Sequence, residues 1–237
     1  MGLFDPLFLI MVALPGLVLS LGANWMVKSA YKRYSQVPAR SGLTGAQAAA
    51  QMLRANNIPD VGIEETQGML SDHYDPTKKM LRLSPDVYHG RSLASLGIAC
   101  HEAGHALQHA HGYTPLYIRS AMVPVAAFGS QFGEILLFLG FILLGFAPFL
   151  GQSVALIGFG VFAIAVFFSL VTLPVEFDAS NRAKNQLISL GMLSNPEEQA
   201  GVAKVLNAAA MTYVAAAAVA LLQLLYWALI LFGNRDR

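Results

Sequence analysis

Residues 135–175 form a run of 41 consecutive residues without a single Asp, Glu, Lys or Arg. This length is enough for two membrane spans of about 20 residues each, and the glycine- and proline-containing segment 145–152 favours a turn between them. The stretches 6–27 and 205–232 are also free of charged residues. Only 12% of the whole chain is charged and 55% is hydrophobic, which is typical of a membrane protein. The sequence therefore predicts about four transmembrane helices.

The polar part of the chain predicts a small mixed domain. A capping sequence at 41–44 indicates a helix over about 45–56, and extended runs at 61–66, 69–74 and 80–83 indicate short strands. The predicted organisation is a first transmembrane helix, a polar zincin-like region, a transmembrane hairpin, a second polar segment, and a last transmembrane helix with a short tail, at 1–27, 28–119, 120–175, 176–204 and 205–237.

The segment 92–108 contains the pattern H-E-x-x-H, as His101-Glu102-Ala103-Gly104-His105. Its small and apolar residues recur at helical spacing without a proline, which predicts a helix. Residues four apart share one helix face, so His101 and His105 are expected to lie one above the other with Glu102 beside them. Imidazoles suit zinc, and an adjacent carboxylate can take a proton from an attacking water. We therefore interpret this segment as a metal-binding helix with Glu102 as the general base, in preference to a core helix that carries two histidines by chance.

A catalytic zinc site normally has three protein ligands and one open position, so a third ligand is expected. The membrane hairpin returns the chain to the side that it left, and the segment that follows offers Glu176 and Asp178. On a helix that begins near residue 174, Glu176 shares a face with Ser180, whereas Asp178 points elsewhere. We therefore predict Glu176 as the third ligand. The competing interpretation is a charged juxtamembrane segment without a metal-binding role.

Four nearby residues are candidates for supporting roles. Asp178 is expected to orient a histidine or cap a helix, and Arg182 to pair with Asp178 or with the developing oxyanion. Tyr113 is a candidate to hold the polarised carbonyl oxygen, with packing or an interfacial position as the alternative. His109 lies one turn beyond His105 on the same face, too far along the axis for us to expect it to complete the metal site.

Three further residues are predicted not to bind the metal. His73 and His89 have no partner at ligand spacing and are expected at the surface or in support of a ligand. The single cysteine, Cys100, lies about 100° around the helix from His101 and is expected to be buried.

The positive residues predict the orientation in the membrane. Thirteen of the fifteen Lys and Arg residues lie in 28–119 and 182–204, and only Arg235 and Arg237 follow the last span. By the positive-inside rule these two regions face the cytoplasm and both termini lie outside. The net charge of +1 gives no indication of a nucleic-acid-binding surface.

Five segments together resemble the bacterial YugP-like family of neutral zinc metallopeptidases: 41–45, 70–76, 101–106, 172–180 and 212–215. The resemblance extends over nearly the whole chain. It implies a membrane-embedded gluzincin of the bacterial inner membrane, similar in plan to the HtpX and CAAX-prenyl endopeptidase group. In that group two helix histidines and a downstream glutamate hold zinc, which here would be His101, His105 and Glu176. An aspartate follows that glutamate by four residues in the group, whereas this chain has Ser180.

The predicted fold is mainly α: a polytopic membrane protein with about four transmembrane helices and a small α+β zincin-like domain on the cytoplasmic side. The predicted function is a zinc metalloendopeptidase that hydrolyses peptide bonds, with Zn²⁺ as cofactor. Its expected partners are peptide or protein substrates, including membrane proteins, and the lipid bilayer, but not nucleic acid.

Two other function classes would place different demands on the sequence. A non-catalytic membrane scaffold or chaperone-like protein would have a closed zinc site with four protein ligands, the fourth being His109 or Asp178. A transporter would need ionisable groups within its spans, where the sequence offers only Glu134. We expect Glu134 near the membrane interface at the start of the second span; a deeper position would make it a functional candidate.

Overall fold

The computed structural model describes residues 5–68 and 71–233. The helices are α1 (Pro6–Phe8), which continues through the π-helical Leu9–Ala13 into α2 (Leu14–Tyr34), α3 (Gly45–Ala55), α4 (Pro85–Tyr88), α5 (Leu93–Ala110), α6 (Thr114–Leu144), α7 (Pro148–Ser189) and α8 (Pro196–Phe232); the strands are β1 (Gly62–Glu65), β2 (His73–Asp75) and β3 (Met80–Leu83). The mainly α fold with a small sheet is thus confirmed. Residues 69–70, where the second predicted strand begins, and Arg235 and Arg237, which entered the orientation argument, lie outside the described residues.

The chain divides into two compact units. The apolar unit comprises Met1–Gly22, Ile118–Leu173 and Tyr213–Arg237, and the polar unit comprises Ala23–Tyr117 and Pro174–Thr212. Within the described residues, four helical stretches are long and apolar enough to cross a membrane: Pro6–Tyr34, Thr114–Leu144, Pro148–Ser189 and Pro196–Phe232. The predicted number of spans is therefore confirmed.

The apolar unit exposes large hydrophobic side chains on its outside and packs its helices closely inside. Phe146 and Phe149 are among the many exposed examples, as expected for surfaces that contact lipid. A Cβ added at Gly133 of α6 would lie only 2.8 Å from the backbone nitrogen of Phe162 in α7. Small residues let membrane helices approach in this way.

Glu134 lies inside helix α6, which begins at Thr114 and ends ten residues after Glu134, at Leu144. The uncharged run that follows Glu134 therefore begins within this helix and not at its start. The depth of Glu134 in the membrane stays a prediction. Gln223 of α8 donates a hydrogen bond of 2.9 Å to Glu134, the kind of polar contact that joins helices in lipid.

The polar unit begins with a capped helix and a three-stranded sheet. Helix α3 starts at a capping box in which Thr44 and Gln47 each accept a hydrogen bond from the other's backbone N–H. The strand order is β1-β3-β2, with β1 parallel and β2 antiparallel to the central β3. A turn joins β2 and β3, and the side chain of Asp75 accepts hydrogen bonds from Thr77 within it.

Helix α5 is the centre of the polar unit. Ser92 caps its N-terminus by accepting a hydrogen bond from the backbone of Ser95, and Gly112, with a φ of +66°, follows its C-terminus. Its apolar face packs into a core with α3 and the sheet, formed in part by Leu93, Leu96, Ala99, Ala103, Leu107, Ala48, Met52 and Leu81. Cys100 is buried in this core, and burial raises the pKa of its thiol to about 12. The helix thus presents its remaining face, with the two histidines, toward α7.

Helix α7 is continuous from Pro148 to Ser189, with Pro174 inside it. The sequence interpretation of a new helix beginning near residue 174 is therefore wrong. Proline lacks a backbone N–H, but the following residues keep the helical path. Glu176, Asp178, Ser180 and Arg182 consequently stand on one rigid helix.

Helices α5 and α7 meet at Gly104, where we expect alanine to be poorly tolerated. A Cβ at this position would lie 2.6 Å from the carbonyl oxygen of Ala179, so Gly104→Ala must push the two helices apart. Overpacking of this kind costs about 1–3 kcal/mol. The thermal midpoint of the purified protein in detergent should fall accordingly, together with its zinc affinity.

A matched change separates this contact from a general effect of alanine. Gly160 lies in α7 and has no atom within 4 Å of an added Cβ. Gly160→Ala should therefore leave the thermal midpoint unchanged or raise it. Equal destabilisation by the two substitutions would contradict the close approach at Gly104.

Candidate active site

His101, His105 and Glu176 converge in the polar unit. His101 Nε2 lies 3.2 Å and His105 Nε2 lies 3.7 Å from the same oxygen, Glu176 Oε2, and the two imidazole rings are 4.8 Å apart between centroids. Helix geometry brings the two histidines together because they are four residues apart. Packing of α7 against α5 brings the glutamate, 75 residues further along the chain.

The donor atoms of this cluster suit a zinc ion. One ligand atom from each of the three residues lies within 4.8 Å of the others, and the set of two imidazole nitrogens and a carboxylate oxygen is one that zinc prefers. Tetrahedral zinc with bonds of about 2.0–2.1 Å would place its ligand atoms about 3.3 Å apart, close to the two separations from Glu176. The residues therefore fit the ion by chemistry and by spacing.

Glu102 is buried beside the cluster, with 9% of its surface exposed. Burial lowers the pKa of His105, but the hydrogen bond with Glu176 and the charges of Glu102 and Glu176 outweigh it, so the pKa lies above its ordinary value. These two carboxylates make the pocket favourable for a cation. Within the described residues, the only group of side chains that could hold a metal ion comprises His101, His105 and Glu176. Glu102 lies outside this group and is therefore available for proton transfer.

Ser180 supports His101 from α7. Its Oγ lies 3.1 Å from His101 Nδ1, so the serine that replaces the aspartate of the related group still contacts a histidine of the cluster. A hydroxyl can donate or accept a hydrogen bond. The position therefore orients the ring without dictating which nitrogen carries the proton.

Gln108 is a site residue that the sequence interpretation missed. It is completely buried, and its Oε1 lies 2.9 Å from His105 Nδ1. Its Nε2 donates to the backbone oxygen of Val175 and to Asp178 Oδ2, each at 2.8 Å. The spacing of three residues from His105 was the available signal, because residues three apart on a helix are neighbours.

Asp178 and Arg182 lie at the edge of the site and pair with each other. Arg182 Nε donates to Asp178 Oδ2 at 2.6 Å, and its Nη1 lies 3.1 Å from His111 Nδ1. The guanidinium group also lies over the ring of Tyr113, 5.8 Å from its centroid. Gln108 links Asp178 to His105 by hydrogen bonds. The ring face of Tyr113 contacts the guanidinium group of Arg182.

The other histidines lie away from the cluster. His109 Nδ1 is 2.8 Å from the hydroxyl of Tyr74 in β2, and burial raises the pKa of that tyrosine to about 12. His73 and His89 are exposed; His73 contacts the backbone oxygen of Ser71, and His89 pairs with Glu65.

Two comparisons with known proteins give matches over nearly the whole chain. Residues 9–232 match the family described as "Putative neutral zinc metallopeptidase". The chain is 48% identical over 229 residues to the protein named "Putative membrane protease YugP" of Bacillus subtilis (strain 168), with 96% of this chain and 98% of that protein covered. No solved structure matches the chain. With four helices long and apolar enough to cross a membrane, this is a membrane protein, and it belongs to the family described as "Putative neutral zinc metallopeptidase".

Proposed function

We propose that the protein is a membrane-bound zinc metalloendopeptidase of the gluzincin type. The observation that carries this proposal is the convergence of His101, His105 and Glu176 on one point, with Glu102 next to His101 on the same helix. In the proposed site these three residues hold zinc and Glu102 is the general base. The membership of a zinc metallopeptidase family supports the proposal.

The proposed mechanism gives the zinc ion and Glu102 separate roles. Zinc, when bound, supplies a Lewis acid that polarises the scissile carbonyl and makes water more acidic. Glu102 takes a proton from the attacking water and later gives it to the departing amine. Its burial keeps the carboxylate in a water-poor environment, where it acts on the reacting water and not on bulk solvent.

Asp178 and Arg182 are assigned to positioning. Arg182 contacts Asp178 and His111, so it holds the side chain of Asp178 at the edge of the proposed site. Tyr113 packs on Arg182. Of the described residues, none of these three joins the cluster of donor atoms.

The number of converging ligands bears on the scaffold alternative. A structural zinc site would be closed by a fourth protein ligand. The cluster found among the described residues has three members, and His109 and Asp178 have other partners. A three-ligand site with an acid beside it favours catalysis.

The site is proposed to face the cytoplasm from the bacterial inner membrane. The excess of Lys and Arg in the polar regions supports this orientation. Peptides and the loops of membrane proteins that reach the membrane surface are the substrates that such a site could meet.

The decisive test uses the full chain purified in detergent. We expect about one zinc per chain by elemental analysis and cleavage of an unstructured protein such as casein. Treatment with 1,10-phenanthroline should abolish cleavage, and added zinc should restore it. Cleavage that survives complete removal of metal, or a chain that binds no zinc, would refute the proposal.

A further inference from the structure

We propose that Gln108 is a positioning residue that fixes the tautomer of His105 and thereby directs His105 Nε2 toward the metal site. This inference rests on the proposed zinc site. It concerns a residue that neither binds the metal nor touches substrate, and it follows from the hydrogen bonds that surround one buried amide.

The orientation of the Gln108 amide is determined by its neighbours. On one side stand two groups that can only accept hydrogen bonds, the carbonyl oxygen of Val175 and the carboxylate of Asp178, each 2.8 Å away. Only the NH₂ group of the amide can serve both, because the amide oxygen is itself an acceptor. The oxygen must therefore face His105.

The orientation of the amide decides the proton position on His105. Gln108 Oε1 accepts, so His105 Nδ1, 2.9 Å away, must donate and carries a hydrogen. Nε2 is then the nitrogen that faces Glu176 Oε2, at 3.7 Å. This is the arrangement needed for Nε2 to bind a cation together with Glu176, because the other ring nitrogen is held by a supporting acceptor.

The anchor of this chain of hydrogen bonds is an ion pair. Arg182 Nε donates to the same oxygen of Asp178 that accepts from Gln108, at 2.6 Å. This contact holds the Asp178 side chain in place, so the amide of Gln108 cannot turn over without setting its oxygen against two acceptors. The contact of His101 Nδ1 is instead with the hydroxyl of Ser180, which can either donate or accept a hydrogen bond.

Methionine provides the sharpest test at position 108, because it matches glutamine in length but cannot make these hydrogen bonds. We expect Gln108→Met to weaken zinc binding by about 10–100-fold, the usual effect of losing a supporting partner. Zinc affinity is measured by competition with a chromophoric chelator on the full chain in detergent. The visible spectrum of the cobalt-substituted protein reports on the same coordination without any activity assay.

A matched control and a conservative variant separate positioning from packing. Gln186→Met makes the same change at a partly buried glutamine that hydrogen-bonds Asn56, and should leave zinc affinity unchanged. Asp178→Asn can keep an oxygen as the acceptor of Gln108 and Arg182 and should bind zinc within about twofold of the parent, whereas Asp178→Leu removes this acceptor and should weaken zinc binding by about 10–100-fold.

The outcomes are distinct. Zinc binding by Gln108→Met within twofold of the parent would overturn the inference, as would equal zinc affinities of Asp178→Asn and Asp178→Leu. If Gln108→Met does not fold, the two Asp178 variants decide alone: zinc binding about tenfold or more weaker in Asp178→Leu than in Asp178→Asn supports the inference, and a smaller difference overturns it. A parent that binds no zinc would instead refute the proposed function.

Discussion

Replacement of Glu102 by glutamine should leave zinc bound and reduce peptide cleavage by about 10²–10⁴-fold, the usual contribution of a general base. The amide has the same size as the carboxylate but cannot take a proton from water. Glu102 stands outside the cluster of donor atoms found in the described residues, so the metal should remain. Removal of a buried charge should also not destabilise the fold.

The measurement compares kcat and bound zinc in parallel for the parent and Glu102→Gln. Glu197→Gln serves as the control, because Glu197 is an exposed carboxylate of the polar unit and its replacement should change neither quantity. A Glu102→Gln protein that cleaves casein as fast as the parent would remove Glu102 from the mechanism. Loss of zinc in this variant would show that Glu102 is a ligand.

Replacement of Glu176 by glutamine should remove zinc and activity together. Glu176 is 2% exposed, and glutamine fills the same space, so the fold should persist. The neutral amide is a much weaker ligand, and it no longer offsets the positive charge of the ion. We expect zinc affinity to fall by more than the roughly 10–100-fold that loss of a supporting hydrogen bond costs.

Chelator competition measures this loss directly, and His109→Gln is the informative comparison. His109 lies on the same helix as the two site histidines but pairs with Tyr74, so its replacement should preserve zinc binding. Unchanged zinc affinity in Glu176→Gln, or an equal loss in His109→Gln, would mean that a different set of residues holds the metal.

The helices and the turn follow from patterns of residues that are close together in the sequence. Helix α5 and the pairing of its two histidines follow from a spacing of four residues, and α3 follows from its capping box. The four apolar helices follow from uncharged runs, because a segment of about 20 apolar residues has few stable environments outside a membrane. The turn between β2 and β3 is equally local, since its side chains bond to their own backbone.

Long-range packing decided what the sequence pattern left open. The sheet order β1-β3-β2 has no local signature, because any of the three short strands could be central. Continuity of α7 through Pro174 was missed because proline usually ends a helix pattern. The start of α6 at Thr114 could not be predicted from the uncharged run, because such a run marks the apolar part of a helix and not its ends.

The candidate site likewise has one part that follows from local sequence and another that depends on tertiary packing. Sequence alone predicted that His101, Glu102 and His105 lie close together, since residues three or four apart on a helix are neighbours. Only the tertiary structure could bring Glu176 to within 3.2 Å of His101 and give Gln108 its two acceptors on α7. Those contacts depend on how closely the backbones of two helices pack, which is a property of all the side chains between them and of no single motif.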